Sequence, residues 1–305
     1  MSQIENSVSS IDLANKNVLL RVDFNVPLKG SELLDDERLI RALPTINLIA
    51  QKAKSLKIIS HLGRPEETGL VQDKFSLKPV AKKLAELLGQ EVNLVNSLKE
   101  LKSLENISML ENIRFYKGEK QNEDNLSQAL AETADVFVMD AFGTAHRKQA
   151  STYGVTKFIK EACVGLLVEE ELMALKKIID SPEKPLLGII GGSKISTKMK
   201  ILKSLTNHVD QLIIGGALAN TCFKALGKNI GKSLYEEAYV DLAKTIIEDK
   251  KILLPSYVVV TKGRDSNSQE KHIDEVEDDD IIFDIGQSAI EDFSQHINSA
   301  KTIIW

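Results

Sequence analysis

Basic side chains recur in the loops that follow the predicted strands of the first half of the chain. They are Arg64, Arg114 and Arg147, together with His61 and His146, and Arg38 lies in the first predicted helix. Since the carboxyl ends of parallel strands emerge at one edge of a sheet, we expect these groups to lie near one another. Guanidinium groups bind phosphate and carboxylate well. Several of them close together repel one another unless a bound anion balances their charge. The pattern favours a site for a small, strongly anionic ligand, although a single arginine more often pairs with a surface carboxylate.

Two further polar side chains belong to the same end of the predicted sheet. Asp23 and Asn25 are two residues apart in the segment Arg21–Pro27. Side chains two residues apart in a strand point to the same face. The spacing therefore predicts that both lie on one side of the first strand, close to the basic groups.

A glycine-rich turn in the second half has the residues of a phosphate-binding loop. The segment Gly191–Lys198 follows an apolar run and leads into a predicted helix. Gly192 lets the backbone approach a phosphate, and a helix N-terminus favours negative charge. Lys194 and Lys198 are four residues apart, so they share one helix face, where two like charges are unfavourable unless they serve an anion.

Other phosphate and catalytic motifs do not fit the sequence. The turn lacks the pattern of a Walker A loop, and a Gly-x-Gly-x-x-Gly fingerprint is absent, which weakens a dinucleotide-binding interpretation. Gly215 and Gly216 form a second place where backbone could approach a flat ligand, although a plain strand-to-helix turn is equally expected. Neither a Gly-x-Ser-x-Gly nucleophile nor a His-x-x-x-His pair occurs. The acidic run Asp274–Asp280 lacks the ligand spacing of a calcium loop and is expected to be a solvated loop.

The composition indicates an ordinary globular protein. The 305 residues favour two domains, and the formal net charge of −5 argues against a general binder of nucleic acid or of anionic membranes. Two cysteines, Cys163 and Cys222, cannot form a disulfide framework. The N-terminus does not resemble a signal peptide, and no apolar run reaches the length of about 20 residues that spans a bilayer. We expect a soluble, cytoplasmic protein, and a monomer because no exposed apolar stripe stands out.

Short apolar runs alternate with amphipathic helical stretches in both halves, which predicts an α/β fold with parallel sheets. The predicted strands are Val18–Val26, Lys57–Ser60, Glu91–Val95, Ser108–Glu111, Val136–Ala141, Pro185–Gly191, Gln211–Gly215, Lys251–Val260, Ile281–Ile285 and Lys301–Trp305. The two sets of strands predict two domains, residues 1–165 and 166–305, with a hinge helix over Glu169–Asp180.

Seven segments of the sequence, which include the loops described above, occur together in one known family. They are Arg21–Leu28, Asp36–Ile46, Ser60–Pro65, Glu111–Phe115, Asp140–Arg147, Gly191–Lys198 and Ile213–Gly216. In this order they resemble the phosphoglycerate kinase family over essentially the whole chain. The resemblance implies two Rossmann-like domains that face a cleft. It also implies 3-phosphoglycerate or 1,3-bisphosphoglycerate on the first domain, and ADP or ATP with magnesium on the second.

The resemblance also implies a role for each matching residue. The substrate-binding residues are Asp23, Phe24, Asn25, Arg38, His61, Leu62, Gly63, Arg64, Arg114 and Arg147. The nucleotide-binding residues are Gly192, Lys194, Lys198, Gly215 and Gly216. Arg38 and Lys198 are implied to be catalytic, because they match the family residues that meet the phosphoryl group in transfer. Transfer is expected to be direct and in line, after a hinge motion brings the domains together.

The sequence departs from the family in a few places, most of all at its end. Ala217 replaces a third glycine, and Gln287 replaces a proline. The chain stops at Trp305, where the family continues with a glutamate that contacts the ribose and an aspartate that binds the metal. We therefore expect a truncated second domain, with no metal ligand assigned in this chain. The alternatives are a non-catalytic module that binds phosphoglycerate and an unrelated α/β dehydrogenase.

Overall fold

The chain folds into two compact units. The structure is a computed structural model and describes residues 6–194, 196, 198–263 and 267–305. The first unit extends to Leu175, and the second comprises Lys176–Trp305. The division lies within the helix Leu166–Asp180, which includes the segment Glu169–Asp180 that the sequence predicts as a hinge helix.

A six-stranded, all-parallel sheet in the order β5-β6-β4-β1-β7-β8 forms the centre of the first unit. The strands of this unit are β1 (Asn17–Val22), β2 (Leu28–Lys29), β3 (Glu32–Leu33), β4 (Ser55–Ile59), β5 (Asn93–Val95), β6 (Ile107–Leu110), β7 (Val136–Asp140) and β8 (Glu161–Val164). Strands β2 and β3 form a separate antiparallel hairpin. Strand β1 is buried after its first residue, as expected for a central strand covered on both faces.

Helices cover both faces of this sheet. They are α1 (Glu37–Lys52), α2 (Lys78–Leu88), α3 (Leu98–Ser103), α4 (Asp124–Ala131), α5 (Phe142–Ala145) and α6 (Leu166–Asp180). Asp140, the last residue of β7, accepts hydrogen bonds from the backbone N–H groups of Leu167 and Val168 at 3.0 and 3.1 Å. These donors have no partner within the helix, so Asp140 caps the start of α6.

The second unit contains two sheets. Its strands are β9 (Leu186–Ile190), β10 (Gln211–Ile214), β11 (Ile252–Leu253), β12 (Tyr257–Thr261), β13 (Gln269–His272), β14 (Ile281–Ile285) and β15 (Thr302–Ile304). Its helices are α7 (Met199–His208), α8 (Ala217–Ala225), α9 (Val240–Ile247) and α10 (Gln287–Ser299). Strands β11-β10-β9-β15 form a parallel sheet, and β13-β12-β14 form an antiparallel one.

The α/β class with parallel sheets flanked by helices is confirmed, but parts of the prediction are wrong. The segment Lys251–Val260 is not one strand, because it contributes β11 to one sheet and β12 to the other. Pro255 lies between them and has no N–H to donate to a continuing ladder. The hairpin β2–β3 and the strands β8 and β13 were not predicted. The acidic run is also not wholly solvated, since Asp280 is fully buried and pairs with Lys271 at 2.7 Å.

Thr197, where the sequence pattern began a helix, lies outside the described residues. In the part of the chain that the structure describes, no helix is both long and apolar enough to cross a membrane.

Candidate functional site

The loop after the central strand β1 carries the first polar group of the site. Asp23 Oδ2 lies 2.6 Å from Nη1 of Arg38, which stands in the first turn of α1. Asp23 Oδ1 accepts the backbone N–H of Asn25 at 3.1 Å. Because β1 ends at Val22, the alternation of a strand does not place these residues together; the hydrogen bond within the loop does.

The loop after β4 is fixed to the same place. The Gly63 N–H donates to Asn25 Oδ1 at 2.8 Å, and the guanidinium of Arg114 donates to the Gly63 carbonyl. Gly63 has a φ of +60°, and a Cβ there would lie 2.5 Å from the ring of Phe75. A glycine is therefore required at this position. The side-chain amide of Asn112, which follows β6, holds the Leu62 backbone at 3.2 and 2.7 Å.

Two of the predicted substrate-binding residues are packed into the protein core. Phe24 is completely buried, and Leu62 is only 4% exposed. Both belong to the hydrophobic cluster that lies against the sheet. Their side chains cannot reach a ligand in this arrangement, so a contribution from either residue to binding would come from its backbone.

His61 is buried beside Arg21, a residue that the sequence analysis did not select. Arg21 Nη2 lies 3.3 Å from Nδ1 of His61, and His61 Nδ1 is 3.9 Å from Asp23 Oδ1. Burial and then the positive charge of Arg21 lower the pKa of His61 from 6.5 to about 2. His61 is therefore neutral, and because a guanidinium only donates, Nδ1 is the acceptor and the proton is on Nε2.

Arg21 is itself held by a buried polar network. Its Nε donates to Ser151 Oγ at 3.0 Å, and the Ser151 hydroxyl donates to Glu119 Oε1 at 2.6 Å. Burial lowers the pKa of Arg21 to about 10, while the charge of Glu119 opposes that shift. Burial also raises the pKa of Glu119. Arg21 shows one signal in the sequence, a charge inside an apolar strand; Glu119 and Ser151 show none.

The remaining arginines surround these groups at different depths. Arg114 is buried, Arg147 is half-buried and Arg64 is exposed. Burial and the positive charges of Arg147 and Arg64 lower the pKa of Arg114, against the opposing charges of Glu119 and Asp23. The structure therefore brings the predicted arginines close enough to repel one another. An excess of cations over carboxylates is the arrangement that binds a strongly anionic ligand. His146, which precedes Arg147 in the chain, is exposed.

In the second unit, most of the predicted nucleotide-binding residues come together. A Cβ on Gly216 would lie 3.1 Å from the carbonyl oxygen of Gly192, and a Cβ on Gly192 would lie 2.9 Å from Cε of Lys198. The Gly192 carbonyl accepts the N–H of Leu218 at 3.0 Å, and Gly215 N–H donates to Ile190. Lys198 directly precedes α7, so its ammonium group and the N-terminus of this helix both favour an anion. Lys194 is exposed in the same loop.

An apolar cavity of about 280 Å³ opens beside Gly216. Its walls include Leu234, Pro255 and Phe283, and the side chains of Leu234 and Phe283 are 61% and 75% exposed. Exposed apolar side chains at a cavity are suited to the face of a planar ring. No pattern in the sequence marks this cavity, because its walls come from separate segments. Asp284 is the carboxylate among the described lining residues.

An arginine-rich anion site in one unit and a glycine–lysine loop beside an apolar cavity in the other define an α/β protein suited to two phosphate-bearing ligands. The chain belongs to the phosphoglycerate kinase family, whose family model matches residues 8–305. It is 45% identical over 304 residues to the phosphoglycerate kinase of Vibrio campbellii, an alignment that covers 98% of this chain and 78% of that protein.

Solved structures give the same result. The structure of phosphoglycerate kinase from Coxiella burnetii superposes with a TM-score of 0.84 at 43% identity, and covers 100% of this chain and 79% of that one. The enzyme from Pyrococcus horikoshii superposes with a TM-score of 0.81 at 26% identity, and covers 98% and 79%. The phosphoglycerate kinase interpretation is therefore confirmed, the non-catalytic module is not favoured, and an unrelated dehydrogenase is excluded.

Proposed function

We propose that this chain transfers a phosphoryl group reversibly between 1,3-bisphosphoglycerate and ADP, with a carboxyl group as the acceptor in the reverse direction. The products of the forward reaction are 3-phosphoglycerate and ATP. The observation that carries the proposal is the convergence of several guanidinium groups on the Asp23–Asn25 loop, in a chain of the phosphoglycerate kinase family.

The first unit would hold the acid substrate. Arg64, Arg114 and Arg147 would bind its phosphate, and Asp23 and Asn25 would contact its glycerate part. His61 would offer its Nε2–H as a neutral donor, because its pKa lies far below neutrality. The Gly63 backbone would close the loop around the ligand.

Arg38 would stabilise the group in transfer. It is half exposed and paired with Asp23 at 2.6 Å, so it is already held at the edge of the anion site. Negative charge spreads over the transferring group in the transition state, and a guanidinium placed there lowers the barrier. The attacking group is an anionic phosphate in one direction and a carboxylate in the other, so no general base is required.

The second unit would hold the nucleotide. The base would lie in the cavity between Leu234 and Phe283, and the backbone of Gly192, Gly215 and Gly216 would approach the phosphates. Lys194 and Lys198 would neutralise these phosphates, with Lys198 following the transferred group. Magnesium would enter with the nucleotide as part of the substrate and neutralise part of its phosphate charge, and Asp284, a carboxylate of the cavity lining, would be available to it.

In-line transfer requires the two ligands to meet, so we propose that the units close on each other during the reaction. We also expect a monomer in the cytoplasm, which gel filtration and cell fractionation would test.

Two measurements on the 305-residue chain test the proposed function. Titration calorimetry with 3-phosphoglycerate should give binding that Arg114→Ala weakens, and a coupled assay of ATP consumption measures whether the chain turns over 3-phosphoglycerate. Binding without turnover would favour the non-catalytic module. The absence of binding would overturn the proposal.

A further inference from the structure

We propose that Glu236 is a positioning residue that holds the glycine–lysine loop in the shape needed to bind phosphate. The inference deepens the proposed nucleotide site and rests on it. Glu236 does not belong to the sequence motifs that suggested this site, and it lies 40 residues from the loop that it contacts.

Both oxygens of the Glu236 carboxylate bind the same residue of the loop. Oε2 accepts the backbone N–H of Ser196 at 2.9 Å, and Oε1 accepts the Ser196 hydroxyl at 2.7 Å. Two hydrogen bonds to one residue fix its orientation as well as its position. Ser196 stands two residues from Lys194 and two from Lys198, so the carboxylate anchors the loop midway between the two cations.

Glu236 is held in turn by helix α8. Its backbone N–H donates to Thr221 Oγ1 at 3.2 Å, and the neighbouring Asn220 donates through Nδ2 to the Leu234 carbonyl at 3.1 Å. Thr221 and Asn220 are 1% and 3% exposed, so both anchors are buried in the second unit. The same short segment therefore contributes Leu234 to the cavity wall and Glu236 to the phosphate loop.

The charge of Glu236 makes the proposal testable. A carboxylate bonded to a phosphate-binding loop repels the phosphates, so electrostatics alone predict that its removal strengthens nucleotide binding. If Glu236 instead holds the loop in shape, its removal weakens nucleotide binding, provided that the substitution removes both hydrogen bonds. A glutamine at the position separates the two effects, because its oxygen can accept the Ser196 N–H and its amide can donate to the hydroxyl.

The test compares Glu236→Ala and Glu236→Gln with the wild-type chain. Glu237→Ala is the matched control, because it removes a neighbouring charge that bonds only Tyr235 among the described contacts. Calorimetry with ADP and magnesium should show affinity about tenfold lower for Glu236→Ala, as expected for the loss of charged hydrogen bonds. Glu236→Gln and the control should stay within about twofold of the wild type. Binding of 3-phosphoglycerate should not change in any variant.

Hydrogen exchange of the ligand-free chain reads the loop directly. The Ser196 amide should exchange faster in Glu236→Ala and at the wild-type rate in Glu236→Gln. Unchanged exchange in Glu236→Ala, or stronger ADP binding in both variants, would overturn the proposal. If neither the wild-type chain nor Lys198→Ala binds ADP, the proposed nucleotide site is wrong. Hydrogen exchange of the Ser196 amide then decides by itself whether Glu236 holds the loop.

Discussion

The guanidinium of Arg21 lies 3.3 Å from Nδ1 of His61, with both side chains buried at the end of the central sheet. This contact assigns the protonation state of His61, because the ring nitrogen that faces a permanent donor must accept. A protonated imidazole at this point would face Arg21 with a second positive charge in a region of low dielectric. The site therefore contains a histidine that is neutral near physiological pH.

The buried His61 should make stability depend on pH in mildly acidic solution. Its pKa is about 2 in the folded chain, against the ordinary histidine value of 6.5 that we expect in the unfolded chain. Below pH 6.5 the unfolded chain binds a proton that the folded chain does not, so the free energy of unfolding falls as the pH is lowered. The slope for one such group is at most about 1.4 kcal/mol per pH unit. Urea unfolding across the mildly acidic range should give a flatter profile for His61→Gln. Parallel profiles for the two proteins would contradict the assignment.

Alanine substitutions of the arginines in the anion site should fall into two groups, one that mainly lowers turnover and one that mainly weakens substrate binding. Arg38→Ala should lower turnover far more than it weakens binding of 3-phosphoglycerate, because Arg38 would meet charge that moves during transfer. Arg64→Ala and Arg147→Ala should instead weaken binding, by about 1.5–3 kcal/mol each. Lys52→Ala, at the far end of the helix that begins beside Arg38, is the control for charge. Equal losses of binding and turnover in Arg38→Ala would assign it to substrate holding alone.

The network behind Arg21 should be important for stability. Glu119→Gln removes the negative charge that is linked to the fully buried guanidinium of Arg21 through the Ser151 hydroxyl, so it should cost more stability than loss of that hydroxyl alone. Ser151→Ala removes only the bridging hydroxyl and should cost about 1–3 kcal/mol, since it leaves Arg21 Nε without a partner. Chemical unfolding of both variants checks the order. A smaller loss in Glu119→Gln than in Ser151→Ala would show that the charge of Glu119 does not balance Arg21.

Sequence patterns could locate the anion site because its arginines lie in loops that directly follow strands. A parallel sheet brings such loops together whatever the rest of the chain does. The sequence patterns could not identify the residues that hold the Arg21 side chain. Ser151 is 130 residues away in the chain, and it belongs to no periodic pattern or motif. The same holds for Leu234 and Phe283, whose exposed apolar side chains carry no local signal. The break at Pro255 was visible in the sequence, but the apolar run on either side of it obscured the change of sheet.

The cavity beside Gly216 should determine nucleotide affinity separately from the lysines. Phe283→Ala should weaken ADP binding by about 1–3 kcal/mol, the range for stacking of a base on an aromatic ring. Lys198→Ala should weaken ADP binding too, but its effect should shrink as salt is added, because the interaction is between charges. Leu226→Ala, which removes another exposed apolar side chain of the same unit, is the control. Calorimetry with ADP and magnesium at low and high salt measures both effects. A loss of affinity that does not depend on salt in Phe283→Ala, and one that does in Lys198→Ala, would show that the two residues bind the base and the phosphates respectively. An unchanged ADP affinity in Phe283→Ala would place the base elsewhere.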